Sequence, residues 1–332
     1  MDPKGIWKKL GTTGWRIWQT IWLIFRGRDA GGLVAIHEIS ALPLLAVRLI
    51  HKQKAPLIVV NLGLLHPKNQ TGFRRAMWGL LLKNADAVVS LVESQTPELF
   101  RVFKIPSAKS HFLPMAVDCG FFNQVNPTHE ERFFLAVGTN DGKDFGTLLE
   151  ALPLGERLVI VTDSFNAKKV RAHRCFGAEI DVREAVSAVA LRELYMRARA
   201  VIIPLLDTPH GSGHTVLLEA MALGKILVVS NSRSMRGYVE HGHNAIQVPV
   251  GDSIAMRRKL HEILEAPERF SALRQGAIRD AHERFSVYKF SEGLKSIVFE
   301  LAGERGLCMK GSGDGGMEKR KDKRGDYYAF IS

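Results

Sequence analysis

The sequence predicts an α/β protein built from two parallel-sheet domains. Three observations predict it. Short apolar runs bounded by turn residues recur along the chain, and stretches of helical spacing separate most of them. The alternation pauses once, in the polar segment 123–132 that contains Pro127, and then begins again. At 332 residues the chain is also long enough for two cores.

Residues 1–29 come before the alternation. Lys8, Lys9, Arg16, Arg26 and Arg28 surround the apolar run from Trp15 to Phe25, and Trp15, Trp18 and Trp22 share one helical face. The run is too short to span a bilayer, and Arg16 and Gln19 interrupt it. Tryptophans beside cations suit an amphipathic helix lying in the headgroup layer; a helix packed on its own domain is the alternative.

The first domain is assigned to 30–126. Its strands are read at Leu33 to His37, Ala55 to Asn61, Ala85 to Val92 and His111 to Pro114. Helices fall at Ala41 to Lys52, Gln70 to Lys83 and Thr96 to Phe103. The second domain is assigned to 127–286. Strands are expected at Phe133 to Val137, Leu158 to Val161, Ile180 to Val182, Ala200 to Pro204 and Ile226 to Ser230. Helices are expected at Thr147 to Leu152, Ser187 to Arg199, Thr215 to Leu223, Ser253 to Glu265 and Pro267 to Glu283. A last helix over 287–302 is apolar at helical spacing. Residues 303–332 mix glycines with Lys319, Arg320, Lys321, Lys323 and Arg324 and lack apolar residues to bury, so a disordered basic tail is expected.

The net charge of +12 points to anionic partners: phosphates, an anionic membrane face or nucleic acid. No zinc-finger spacing, RNA-binding aromatic signature or basic zipper is present, so nucleic acid ranks last. Cys119, Cys175 and Cys308 are scattered and odd in number, which fits a reducing compartment and no metal cluster.

One stretch carries chemistry. Between the strands ending at Pro204 and beginning at Ile226 lie Gly211, Ser212 and Gly213, followed by a helix of strong formers. A glycine loop leading into a helix N-terminus is an anion site, because the first helical N–H groups lack partners and the dipole is positive there. Glu219, about a turn into that helix, can accept hydrogen bonds from two neighbouring hydroxyls such as a ribose offers. A second glycine turn, Gly138 to Lys143, follows the first strand of this domain. Ordinary α/β punctuation is the plainer reading of either turn.

From Leu191 to about Phe285 an ordered series of segments is similar to the C-terminal domain of the GT-B glycosyltransferases, specifically the retaining group 1, or GT4, family. The series runs through Leu194-Tyr195, Glu219 to Lys225, Val228 to Ser230, Tyr238 to Ala245, Val248 to Asp252, Ala266 to Arg269 and Glu283 to Ser286. The resemblance implies a GT-B fold, two Rossmann-like domains facing a cleft, with the last helix crossing back to the first. It implies a nucleotide-diphosphate sugar as donor and transfer with retention. No separate cofactor is implied, and no Asp-x-Asp motif for a metal is present. The backbone N–H groups of Gly138, Ser212, Gly213, His214 and Thr215 would then hold the diphosphate, with Lys143 as its cation and Glu219 on the ribose. A threonine, Thr139, stands where the family has an arginine. Gly211 stands where the family has its first glutamate, which addresses the donor sugar; Asp207, His210 and His214 are near in sequence as substitutes.

The first domain departs further. It lacks the family's opening strand and glycine loop, so it reads as short. His37 and Asn61, at the ends of two strands, are the candidate catalytic residues, with His66 downstream. The acceptor is expected to be a sugar, a lipid-linked glycan or an envelope polysaccharide. The expected location is cytoplasmic, peripheral on the inner membrane face through an anionic surface. The alternative is a degenerate GT-B protein acting as a non-enzymatic membrane-associated partner. A dinucleotide oxidoreductase fits less well, since neither glycine turn has G-x-G-x-x-G spacing.

Overall fold

The computed structural model describes residues 32–50, 55–123, 130–139, 141–173, 177–208 and 211–304. The expectations for 1–29, for the tail beyond 304 and for His210 lie outside the described residues. The chain divides into two compact units.

The first unit holds β1 (Leu33–Ile36), α1 (Glu38–Val47), β2 (Leu57–Asn61), α2 (Gly72–Leu82), β3 (Ala87–Ser90), α3 (Gln95–Phe103) and β4 (Ser110–Phe112). The strands pair in chain order, each parallel to the next, with Asn61 opposite Ser90 and Ser90 opposite Phe112. All five residues of β2 are buried, as a parallel strand covered on both faces requires. Leu33, Leu57, Val59 and Val88 pack with Trp78, Leu82, Leu99 and Phe103 from the helices.

The later unit holds β5 (Phe133–Val137), α4 (Phe145–Ala151), β6 (Arg157–Val161), α5 (Ser164–Ala172), β7 (Glu179–Arg183), α6 (Ala188–Arg197), β8 (Ala200–Ile203), α7 (His214–Ala222), β9 (Ile226–Ser230), β10 (Ile246–Val248), α8 (Ser253–Glu265) and α9 (Ser271–Glu283). All strands are parallel, in the order β10-β9-β8-β5-β6-β7. The final helix, α10 (Val287–Glu304), is divided between the units: its first residues count with the later one and those from Glu292 with the first.

Three details differ from the sequence reading. Helix α5 is polar and buries only Asn166, Ala167 and Val170, so it carries little periodic signal; the Asp163 carboxylate caps it by accepting from the N–H groups of Phe165 and Asn166. Strand β10 is three residues long and was not anticipated. Residues 114–123 belong to the later unit rather than the first domain. Val117 accounts for this: its N–H donates to Phe285 O and its carbonyl accepts from Val287 N, which ties the segment to the α9–α10 junction.

Candidate functional site: an anion cradle at the sheet's switch point

The order β10-β9-β8-β5-β6-β7 places the site. From β5 the chain moves outward through β6 to β7, then returns to lay β8 on the other side of β5. At such a reversal the loops leaving the two adjacent strands diverge and open a crevice at their carboxyl ends. The loop after β5 carries Gly138 and Lys143. The loop after β8 leads to Gly213 and α7. The two predicted glycine turns therefore lie side by side.

Backbone hydrogen bonds lock them together. Leu206 N donates to Gly142 O at 3.0 Å and Asp144 N donates to Pro204 O at 3.0 Å, which makes Lys143 and Leu205 an antiparallel bridge. Leu205 N in turn donates to the Ser230 hydroxyl at 3.0 Å, fixing the loop to the end of β9. Gly138 is held by its own N–H to Val161 O and by the Thr162 hydroxyl, which donates to Gly138 O at 2.5 Å.

Lys143 is the centre of the cradle. Its stem lies across Gly138, where an added methyl would stand 1.9 Å from Lys143 Cε. Its Nζ reaches towards Gly213, where an added methyl would stand 3.3 Å from it. Gly213 also has φ +85, which a side chain tolerates poorly, and a methyl there would lie 2.9 Å from Ile203 Cγ2. Lys143 is only 8% exposed, and its Nζ is buried with no hydrogen-bond partner among the described residues. Burial pushes its pKa down to about 8. An unpaired buried ammonium is costly unless an anion joins it.

The other half of the cradle is the start of α7. Gly213 is its N-cap, and no side chain caps this end. The first-turn N–H groups of His214, Thr215 and Val216 have no partner within the helix, and the dipole is positive there. The His214 ring is buried, and burial, together with the charge of Lys143, lowers its pKa to about 4 against a raising hydrogen bond to Ser234. A carbonyl oxygen only accepts, so the 2.6 Å contact to Ser234 O requires the proton on Nε2 and leaves Nδ1 bare.

Glu219 lies on the same helix, half-buried. Tyr195 of α6, fully buried, donates its hydroxyl to Glu219 Oε2 at 2.9 Å. Burial raises the Glu219 pKa, and the tyrosine bond partly offsets that. One carboxylate oxygen is thereby fixed and the other is left for a second donor.

Comparisons with known proteins show what this chain is similar to. Residues 131–266 match the family model described as "Glycosyl transferases group 1". Solved structures agree on the architecture. A sucrose-phosphate synthase from Thermosynechococcus elongatus aligns with a TM-score of 0.66 at 18% identity, over 82% of this chain and 73% of its own. HepE from Anabaena in complex with UDP aligns at 0.64 and 15% identity, over 80% of this chain and 78% of its own. TarM aligns at 0.64 and 11% identity, over 84% and 57%. At these identities the similarity establishes the GT-B fold. No curated protein matches the chain.

Within the later unit, Gly138, Lys143, Ser212, Gly213, His214 and Thr215 are gathered on the two facing loops and the helix they lead into. Near Gly211, an added methyl would stand 3.2 Å from His214 Cε1, so the histidine ring occupies the space beside that position. Asp207 is committed elsewhere: it accepts from Arg233 N at 3.0 Å and pairs with Arg233 Nε, and these bonds hold its pKa low against desolvation.

In the first unit, His37 follows β1 directly and Asn61 ends the adjacent strand β2. His37 has φ 92, a conformation rare outside glycine, and its Nδ1 caps α1 by accepting from Ile39 N at 3.1 Å. Asn61 is buried and held at both ends of its amide: Oδ1 accepts from Leu64 N at 2.9 Å and Nδ2 donates to Gln95 Oε1 at 3.2 Å. His66 Nδ1 accepts from Lys68 N at the start of a short 3-10 turn. Glu38, absent from the sequence reading, is buried and closes the turn after β2 through Leu62 N and Gly63 N. Nothing in the spacing pointed to Tyr195 or Ser234 as partners of site residues, because each meets its partner only once the chain has folded.

Proposed function

We propose that the protein transfers a sugar from a nucleoside-diphosphate sugar to a hydroxyl acceptor, with retention at the anomeric carbon. The observation that carries this is the buried, unpartnered Lys143 ammonium beside the uncapped N-terminus of α7. Both supply positive potential to one point, and a diphosphate is the group that uses it. As the bond from the anomeric carbon to the diphosphate oxygen breaks, the electron pair leaves on that oxygen. Lys143 and the amides of Gly213, His214 and Thr215 meet the growing negative charge without reorganising. The acceptor oxygen bonds to the anomeric carbon, and its proton leaves with the diphosphate. Glu219, oriented by Tyr195, is assigned to the ribose hydroxyls. We assign the neutralising charge to Lys143 and the helix end, not to a metal ion. Among the described residues no three His, Cys, Asp or Glu side chains are grouped as ligands.

HepE has been solved with UDP and with UDP-glucose, which makes UDP-sugars the first donors to try. We further infer a lipid-linked or envelope polysaccharide acceptor reached at the inner membrane face, supported by the net charge of +12. Among the described residues no helix is long and apolar enough to cross a membrane.

The deciding experiment measures thermal shifts of the full chain with UDP-, GDP- and ADP-sugars, followed by product analysis with the donor that stabilises. Stabilisation by one donor that is lost in Glu219→Ala supports the assignment. No stabilisation by any of them overturns it. A second reading, a degenerate partner protein, is favoured by Gly211 in place of a carboxylate. It predicts binding without turnover.

A further inference from the structure

In the first unit, α2 (Gly72–Leu82) has two unlike faces. Trp78, Leu81 and Leu82 point into the core. Phe73, Ala76 and Leu80, three and four residues apart, form an exposed stripe that Lys83 ends; Phe73 is 81% exposed and Leu80 55%. Single exposed apolar residues are ordinary, but a stripe of them on one helix is not.

Helix α3 lies beside α2. Arg75 Nε donates to Val102 O at 3.2 Å, and a methyl added to Gly79 would stand 3.3 Å from Phe103 O. This neighbour adds Phe100, 56% exposed, with the Lys104 ammonium 5.8 Å from its ring centroid. The charges around the apolar residues are mostly of one sign. Between His66 and Ile105 the exposed cations are Lys68, Arg74, Arg75, Lys83, Arg101 and Lys104. Of the acids in this stretch, Glu98 pairs with Arg101 and Asp86 with the buried Arg48, which leaves Glu93. Apolar side chains set among exposed cations that outnumber the acids six to three match one partner in particular, an anionic lipid surface. The cations meet the headgroups while the phenyl and isobutyl groups enter the acyl boundary.

We propose that the outward face of α2, with Phe100 and Lys104 of α3, is a docking surface for anionic lipid bilayers. This names the surface for the membrane contact inferred above and rests on that reading, but not on the nucleotide site. The cations draw the protein to the membrane, so binding falls with added salt. The apolar stripe holds it there, so a salt-resistant part disappears when the stripe is made polar.

The test is co-sedimentation of the full chain with phosphatidylcholine vesicles and with vesicles that also contain phosphatidylglycerol. The expected result is binding to the second only. Phe73→Ser/Leu80→Ser and, separately, Arg74→Gln/Lys83→Gln should each weaken it by about fivefold or more. Unaltered melting temperature and UDP-sugar binding in the variants show that the fold and the donor site are intact. If the unaltered chain binds neither vesicle, the membrane reading falls while the donor site stands or falls on its own test. If it binds and both double variants bind as well, this surface is wrong and the contact lies elsewhere. If the unaltered chain forms a dimer in solution that Phe73→Ser/Leu80→Ser disrupts, the stripe is a protein interface and the proposal is overturned.

Discussion

Lys143 lies against Gly138 so closely that a methyl on the glycine would stand 1.9 Å from Cε and 2.7 Å from Cδ of the lysine. The two residues act as one device: the glycine has no side chain so that the lysine can cross over it. Gly138→Ala should therefore push Lys143 out of the cradle and weaken nucleoside-diphosphate binding by about tenfold or more. The fold should lose little, because the clash is with a movable stem. Calorimetric titration of the variant with UDP checks this.

Lys143→Met separates stability from function. Burial holds the folded-state pKa near 8 against an ordinary 10.5, so the unfolded chain binds more protons between those values. The penalty is full below pH 8 and fades as pH rises towards 10.5. Replacing the ammonium with an apolar side chain should raise the melting temperature at pH 7, by up to about 3 kcal/mol of stability, while abolishing diphosphate binding. In the unaltered protein, diphosphate binding should weaken as pH rises above 8, with proton uptake measurable in buffers of different ionisation enthalpy.

Tyr195→Phe should release Glu219 without emptying the cradle. The loss of one hydrogen bond to a half-buried carboxylate is worth about 1 kcal/mol, or roughly fivefold in affinity. That loss should appear with UDP and vanish with its 2′,3′-dideoxy counterpart, if Glu219 holds the ribose. Equal weakening of both ligands contradicts the role given to the pair.

His214 should make the domain acid-sensitive. Its pKa of about 4 lies below the ordinary 6.5, so the unfolded chain binds the extra proton first as pH falls. Its contribution is complete above about pH 6.5 and is lost progressively as pH drops towards 4, on the order of 3 kcal/mol. His214→Gln should flatten the fall of melting temperature over that interval. An unchanged slope would assign the acid sensitivity to other groups.

Much of the architecture could be read from the chain because apolar runs and helical spacing are local signals. The strands from Leu33 to Asn61 and from Phe133 to Ser230 carry them densely, and the two glycine turns stood out in the chain before their meeting was visible. What local signals cannot carry is pairing. Nothing in the spacing of Tyr195 and Glu219, or of His214 and Ser234, says that they touch; each contact is made by the sheet order. Asn61 shows the same limit from the other side. A polar residue at a strand end reads as available for chemistry, and its spacing does not reveal that its amide also bonds Leu64 and Gln95. Helix α5 was missed because its exposed, polar residues outnumber the three it buries, although Asp163 ahead of it is a regular start signal.

The return of β8 to the side of β5 has a consequence during synthesis. The cradle's two halves leave strands that become neighbours only after the chain has travelled out to β7 and back. A nascent chain on the ribosome therefore cannot assemble the two loops into a cradle until α7 has cleared the exit tunnel, however early β5 collapses. A ligand of the proposed cradle would steady a finished domain against local opening, but it would give no help to one still being made.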